Sequence, residues 1–95
     1  MLTYKAAYQF LDEGVHAHVL DFPGAITCGP NLDETRRLLA SALLDLANYS
    51  LERGEALPMP DSTLIDPDAD LEEPLHLHLR ASTAVDLVPS GMVVS

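Results

Sequence analysis

Two pairs of histidines are the side chains of this chain best suited to chemistry. His16 and His18 form one pair, and His76 and His78 form the other. Residues i and i+2 of a strand share a face, so each pair offers two imidazoles to a metal ion. Neither segment supplies the cysteine or carboxylate that would complete a ligand set. We therefore interpret the histidines as polar residues on an exposed sheet face, and we predict no metal and no cofactor.

Carboxylates dominate the charge of the chain. Fifteen Asp and Glu residues face five Lys and Arg residues, which gives a formal net charge of −10. Nucleic-acid binding depends on Lys and Arg displacing counterions from phosphates, so we predict no direct nucleic-acid partner. An acidic surface instead favours steered association with a basic protein.

The acids are densest between residues 55 and 74, among four prolines, where we predict an irregular and solvated connection. This connection can present negative charge to a basic partner. The acids we nominate for partner binding are Asp66, Asp68, Asp70, Glu72 and Glu73.

A catalytic role for the acids is the weaker interpretation. A two-metal nuclease needs carboxylates that converge from several elements, and Asp21 at the end of a strand would have to join others. The chain also lacks a phosphate-binding glycine loop and a nucleophile elbow. We predict no catalytic residues and no enzymatic activity, and we keep a metal-dependent nuclease as an alternative.

The residues that must position these groups alternate in hydrophobicity, which predicts strands. The predicted strands cover residues 2–10, 15–19, 25–28 and 75–80. In the first strand we expect a buried face that carries Leu2, Tyr4, Ala6, Tyr8 and Phe10. After residue 80 the pattern is ambiguous, and residues 85–88 and 92–94 form either short strands or a partly ordered tail.

One helix is predicted between the third and fourth strands. Asn31 is a suitable N-cap, Glu34 resembles the acid of a capping box, and Gly54 follows the expected end near Arg53. The side expected to face the sheet carries Leu38, Leu39, Ala42, Leu43, Leu46, Ala47 and Tyr49. Leu44 and Leu51 lie beside it, either under a loop or as an oligomer interface.

Length and cysteine content set the remaining limits. Ninety-five residues correspond to one domain, with a core over 1–80 and an uncertain tail over 81–95. Cys28 is the only cysteine, which excludes an internal disulfide and fits a reducing compartment, and we expect it to be buried. No run of residues reads as a signal peptide or a membrane span, so we expect a cytoplasmic protein without a membrane partner.

Several short motifs occur in an order that is typical of one family. They include Gly14, Phe22, Pro23, Gly24, Thr27, Gly29 and Glu34, together with Tyr4, Leu32, Gly54 and the segment 58–60. This ordered set resembles the HicB-like antitoxin domain of toxin–antitoxin systems, over about residues 4 to 60 and more loosely over 75 to 80.

The resemblance implies an α+β fold of order β-β-β-α-β, a partial RNase H-like sheet with one helix on one face. It also implies a partner, a small basic HicA-type toxin that cleaves mRNA and is neutralised by direct contact. Family members often carry a C-terminal DNA-binding segment, but no Lys or Arg follows Arg80, so we expect a short, stand-alone member without one. The alternative is an orphan, homo-oligomeric accessory protein that has no toxin.

Overall fold

The computed structural model describes residues 1–81 and 84–87, with the backbone alone at 79–81 and 84. The elements in chain order are β1 (Leu2–Leu11), β2 (Gly14–Val19), β3 (Ile26–Gly29), α1 (Leu32–Glu52), β4 (Leu71–Ala81) and β5 (Ala84–Leu87). The prediction of a short strand or a tail at 92–94 lies outside the described residues.

The protein is a small α+β domain in which one helix packs on a five-stranded sheet. The strands lie in the order β3-β2-β1-β4-β5, and every neighbouring pair is antiparallel. The expected element order, β-β-β-α-β, was therefore short by one strand, β5, which corresponds to the short strand that the sequence left as an alternative at 85–88. Because β3 and β4 run in opposite directions, α1 does not form a parallel crossover.

The buried face of β1 follows the predicted alternation except at its end. Tyr4, Ala6 and Tyr8 belong to the core, but Phe10 is 49% exposed, so its predicted burial was wrong. Phe10 lies one row before the end of the β1–β2 ladder, opposite Val15. The ladder between β1 and β4 ends at Tyr8, opposite Leu71, so β4 does not flank Phe10.

Strand β4 begins at Leu71, four residues before its predicted start, although Pro74 lacks a backbone N–H. Pro74 lies opposite Lys5, whose N–H and C=O both point toward β2: the N–H donates to Asp21 and the C=O accepts from Leu20. The Lys5–Pro74 pair is therefore a non-hydrogen-bonded one. The ladder between β1 and β4 therefore loses no hydrogen bond at Pro74. On the other side of β4, pairing with β5 starts only at Leu77, beyond the proline.

The corner between β2 and β3 is closed by local hydrogen bonds. The amide of Phe22 donates to the carbonyl of Val19, and the amide of Val19 donates to the carbonyl of Ala25 at 2.9 Å. Gly24 has a φ of +92°, which L residues rarely adopt. The ring of Phe22 meets Tyr4 edge to face, with centroids 5.2 Å apart, and so ties the corner to the core.

The predicted helix ends are confirmed. Asn31 is the N-cap, and its side chain accepts a hydrogen bond from the Glu34 amide at 2.8 Å. The Glu34 carboxylate pairs with Arg37, so it does not complete a capping box. Arg53 is the C-cap, and Gly54 follows with a φ of +73°.

The sheet-facing side of α1 is only partly as predicted. Its fully buried residues recur at every fourth position: Thr35, Leu39, Leu43 and Ala47. Tyr49 is 56% exposed, so its predicted packing on the sheet was wrong, whereas Leu38 is 38% exposed but still lies beside Gly29 of β3. Tyr49 instead packs against Arg53, whose guanidinium lies 5.3 Å from the ring centroid.

Candidate functional site

The basic side chains that the structure describes are all paired with acids of the same chain. The pairs are Lys5 with Glu72, Arg36 with Glu73, Arg37 with Glu34, and Arg53 with Glu55. Each pair neutralises one positive charge that could otherwise meet a partner. The charge that remains for a partner on the described surface is therefore negative.

Two of the five nominated acids lie in β4 and serve internal contacts. Glu73 accepts two hydrogen bonds from the guanidinium of Arg36, at 2.8 and 3.0 Å, which is the strong bidentate geometry. Glu72 lies 3.7 Å from the Lys5 ammonium and accepts the Asp66 amide at 2.8 Å. Both carboxylates hold the chain together more than they face solvent.

Asp66 and Asp68 lie in the connection before β4. Asp66 is half-buried, lies 3.6 Å from the His18 ring and accepts the Asp68 amide at 2.9 Å. Asp68 itself is exposed. Of this pair, Asp68 is the acid presented to solvent.

Asp70 joins the acidic connection to the end of β1. Its carboxylate accepts the Phe10 amide at 2.7 Å, and its own amide donates to the Tyr8 carbonyl at 2.8 Å. Asp70 remains exposed, so it carries negative charge beside Phe10.

Phe10 and Leu11 are exposed and continue into Asp12 and Glu13, two exposed acids in the turn of the β1–β2 hairpin. Together with Asp70, these four residues form the hairpin-end surface, in which exposed apolar side chains on the two faces of β1 stand next to carboxylates in sequence and in the turn. Among the nominated acids only Asp70 belongs to it. The sequence reasoning missed the others because it assigned Phe10 to the core and the acids to a turn.

The face of the sheet opposite α1 is partly covered by residues 61–66. The Lys5 ammonium donates to the carbonyls of Ser62 at 3.2 Å and Leu64 at 2.7 Å, which draws this segment over the sheet. Ala7, on the same face as Lys5, is only 1% exposed. The face that we expected to be open is therefore closed near its centre.

Asp21 has a structural role in the described fold. Its two carboxylate oxygens accept the backbone amides of Lys5 at 3.0 Å and Asp61 at 2.9 Å. Within residues 1–81 and 84–87, no three His, Cys, Asp or Glu side chains group as metal ligands. The nuclease alternative therefore remains a hypothesis without a ligand set in this part of the chain.

The histidines lie on the face opposite α1, on β2 and β4, with β1 between them. His76 shares a hydrogen bond of 2.9 Å with the Thr3 hydroxyl, and His18 is next to Asp66. His16 lies opposite Cys28, which is exposed rather than buried as predicted. The cysteine is exposed because β3 is the last strand at this side of the sheet.

Two tyrosines in the core have raised pKa values. Burial, and secondly the Asp21 carboxylate, raises the pKa of Tyr4 to about 12. Its hydroxyl donates to the Pro58 carbonyl at 2.7 Å. Burial, and secondly the Glu73 carboxylate, also holds the pKa of Tyr8 above its usual range. Both phenols stay protonated near neutral pH and act in packing.

Leu44 and Leu51, the residues nominated for an oligomer interface, are partly buried and pack against the core. More strongly exposed apolar side chains occur elsewhere, as at Ile26 and Ile65. A role of the helix stripe in assembly stays a prediction.

Compared with family models and with curated proteins, the chain matches none. Within the described residues, no helix is both long enough and apolar enough to cross a membrane.

Proposed function

We propose that this chain is a HicB-like antitoxin domain that neutralises a small, basic, mRNA-cleaving HicA-type toxin by direct contact. The observation that carries the proposal is the hairpin-end surface. It exposes Phe10 and Leu11 among three carboxylates, while the described cations are paired internally. The ordered motifs around the β2–β3 corner and the helix start support the family, and the partial RNase H-like relationship is part of the same proposal.

The chemistry of the surface suits a partner that binds RNA. A protein that binds RNA needs Lys and Arg to contact phosphates. The carboxylates of Asp12, Glu13 and Asp70 can pair with those Lys and Arg side chains in place of phosphates, which would prevent RNA from binding the toxin. Phe10 supplies an aromatic anchor of the kind that dominates binding energy at protein interfaces.

The experiment starts with co-expression of the tagged chain and the product of the adjacent small open reading frame. We expect a stoichiometric complex, a neighbour that is toxic when expressed alone, and an affinity that falls with salt. The test variant is Asp12→Lys/Glu13→Lys. The control is Asp45→Lys/Glu52→Lys, which makes the same charge change at exposed positions of α1.

The hairpin variant should weaken binding by about tenfold or more at low salt, and the helix control by much less. Equal losses in both variants would mean that net charge alone drives binding and that the hairpin-end surface has no special role. A complex that ignores salt would contradict the electrostatic part of the proposal. If no complex forms and the neighbour is not toxic, the accessory-protein alternative is favoured.

That alternative, a homo-oligomeric accessory protein without a toxin, has its own supporting observation. The edge of the sheet at β3 carries no charged side chain and exposes Ile26. Assembly through this edge would not require a toxin, and the result that favours this alternative is an oligomeric chain that forms no complex with its neighbour while that neighbour is not toxic.

A further inference from the structure

Strand β3 leaves one row of backbone groups unpaired at the edge of the sheet. The Val19 amide donates to the Ala25 carbonyl, so this pair is hydrogen-bonded. Hydrogen-bonded and non-hydrogen-bonded pairs alternate along an antiparallel ladder, which makes Ala17–Thr27 the next hydrogen-bonded pair. The N–H and C=O groups of Ile26 and Cys28 therefore point away from β2.

Strand β3 is only four residues long, but its edge lacks two of the usual protections against pairing with another strand. Natural edges are blunted by charged side chains or by proline within the strand, and β3 has neither. Residues 23–32 contain no Asp, Glu, Lys or Arg in a chain with a net charge of −10. Ile26 is 70% exposed on the face opposite α1, and Cys28 is exposed beside it.

Apolar side chains also follow this edge on the helix side. Leu38 lies beside Gly29, since a Cβ atom added to that glycine would be 3.3 Å from Cδ1 of Leu38. Leu46 lies beside Gly24 in the same way, with a distance of 3.8 Å from the added Cβ atom to Cδ1. Leu38 is exposed, whereas most of the helix face beneath the sheet is buried. The edge thus offers apolar contacts both above and below its free backbone groups.

We propose that β3 pairs antiparallel with β3 of a second copy of this chain, with Thr27 on the two-fold axis. In this register Ile26 lies opposite Cys28 of the second copy on both sides of the axis. Their outward N–H and C=O groups then form four hydrogen bonds between the copies. The exposed Ile26 and Cys28 side chains meet on one face, and the leucines of the two helices lie on the other.

The geometry of the edge favours this register over its neighbours. If one β3 strand slides by two residues along the other, the two-fold axis moves to Cys28. Ile26 then lies opposite Pro30 of the second copy, which has no N–H to donate. The opposite shift pairs Cys28 with Gly24, whose φ of +92° is not extended. A shift by one residue would set side chains from opposite faces against each other.

Charge favours a second copy over a basic protein as the occupant. Two chains that each carry −10 repel one another almost everywhere, but an uncharged strip lets them approach without acid facing acid. A basic protein gains no attraction from that strip and is drawn instead to the acids around Phe10. The two surfaces therefore serve different partners.

The first test is the mass of the purified chain in sedimentation or light scattering. We expect a dimer of two 10.3 kDa chains that dissociates to the monomer in Ile26→Lys. Ile65→Lys introduces the same charge at a side chain that is 72% exposed, and it should stay dimeric. Circular dichroism verifies that both variants are folded. A wild-type monomer at all concentrations, or a dimer that survives Ile26→Lys, would overturn the proposal.

The second test measures the register with a disulfide. In a Cys28→Ser background, Thr27→Cys places two thiols on the axis, where the Cα atoms of a non-hydrogen-bonded pair lie about 4.5 Å apart. Two copper(II) phenanthroline complexes each accept one electron, becoming copper(I), as the two thiols lose their protons and form the S–S bond. We expect rapid cross-linking of this variant and none of the wild type, whose Cys28 Cα atoms lie about 8 Å apart.

The cross-linking result is independent of the charge variants. Cross-linking through the native Cys28 but not through Thr27→Cys would overturn the proposed register. A dimer that is lost in Leu44→Glu but kept in Ile26→Lys would assign assembly to the helix stripe and would also overturn the proposal.

Discussion

Replacement of Asp21 by Asn tests how the acidic connection is held on the sheet. Asp21 is 7% exposed, and each of its carboxylate oxygens accepts one backbone amide, from Lys5 and from Asp61. Asn has nearly the same shape, but one oxygen becomes an NH₂ group that faces an N–H donor. One of the two hydrogen bonds must be lost, and the amide that made it is left without an acceptor.

The magnitude follows from the hydrogen bond that is lost. A hydrogen bond to a charged group contributes about 1.5–3 kcal/mol, and a buried unsatisfied donor costs a similar amount. We therefore expect Asp21→Asn to lower the free energy of unfolding by about 2 kcal/mol. For a domain of this size, that corresponds to a fall in Tm of roughly 8–16 °C.

The assay is urea unfolding followed by circular dichroism, together with hydrogen exchange of the Lys5 and Asp61 amides. The matched control is Asp68→Asn, at an exposed acid of the acidic connection that Asp21 anchors. It should change the free energy of unfolding by no more than about 0.5 kcal/mol. Exchange of the Asp61 amide should become faster in Asp21→Asn alone. If Asp21→Asn unfolds like the wild type and keeps its Asp61 amide protected, the anchoring role of this carboxylate is refuted.

Two further predictions concern the core. Because folding raises the Tyr4 pKa from 10.0 to about 12, stability from its protonated phenol is complete below pH 10 and declines from there to pH 12. Tyr4→Phe should flatten the fall of Tm across this pH range, and an unchanged fall would contradict that assignment. In Gly29→Ala the new Cβ would lie 2.5 Å from Oγ1 of Thr35, which should destabilise the fold by about 1–3 kcal/mol. When Thr35→Ala is combined with Gly29→Ala, urea unfolding should show that part of this stability loss is restored. If the losses of the two single variants simply add in the double variant, the steric cause is contradicted.

The elements that depend on local interactions were predictable from the sequence. Alternation placed β1 and β2, and Asn31 and Gly54 marked the helix ends, because strand faces and helix caps depend on residues close along the chain. Alternation assigns a residue to a face but does not say how deeply it is covered. Phe10 and Cys28 were therefore assigned to the interior although both are exposed.

The candidate surface was less predictable, because charges pair with residues that are distant in sequence. The acid-rich stretch indicated a surface for a basic partner, but the stretch alone does not show which acids are already engaged. Glu73 binds Arg36, which is 37 residues away, and Asp70 binds the end of β1, which is 60 residues away. Only the folded chain separates acids that hold the protein together from acids that remain for a partner.

The sequence by itself determined the acidic balance, the α+β class, the strand alternation and the helix ends, because composition and local spacing suffice for these. The tertiary structure alone decided that Pro74 enters β4, that residues 61–66 cover the sheet, and that β3 ends it with an uncharged edge. These features depend on which strands become neighbours and in what register. The pairing of β1 with β4 joins residues that are far apart in sequence, so local patterns alone do not show which strands become neighbours.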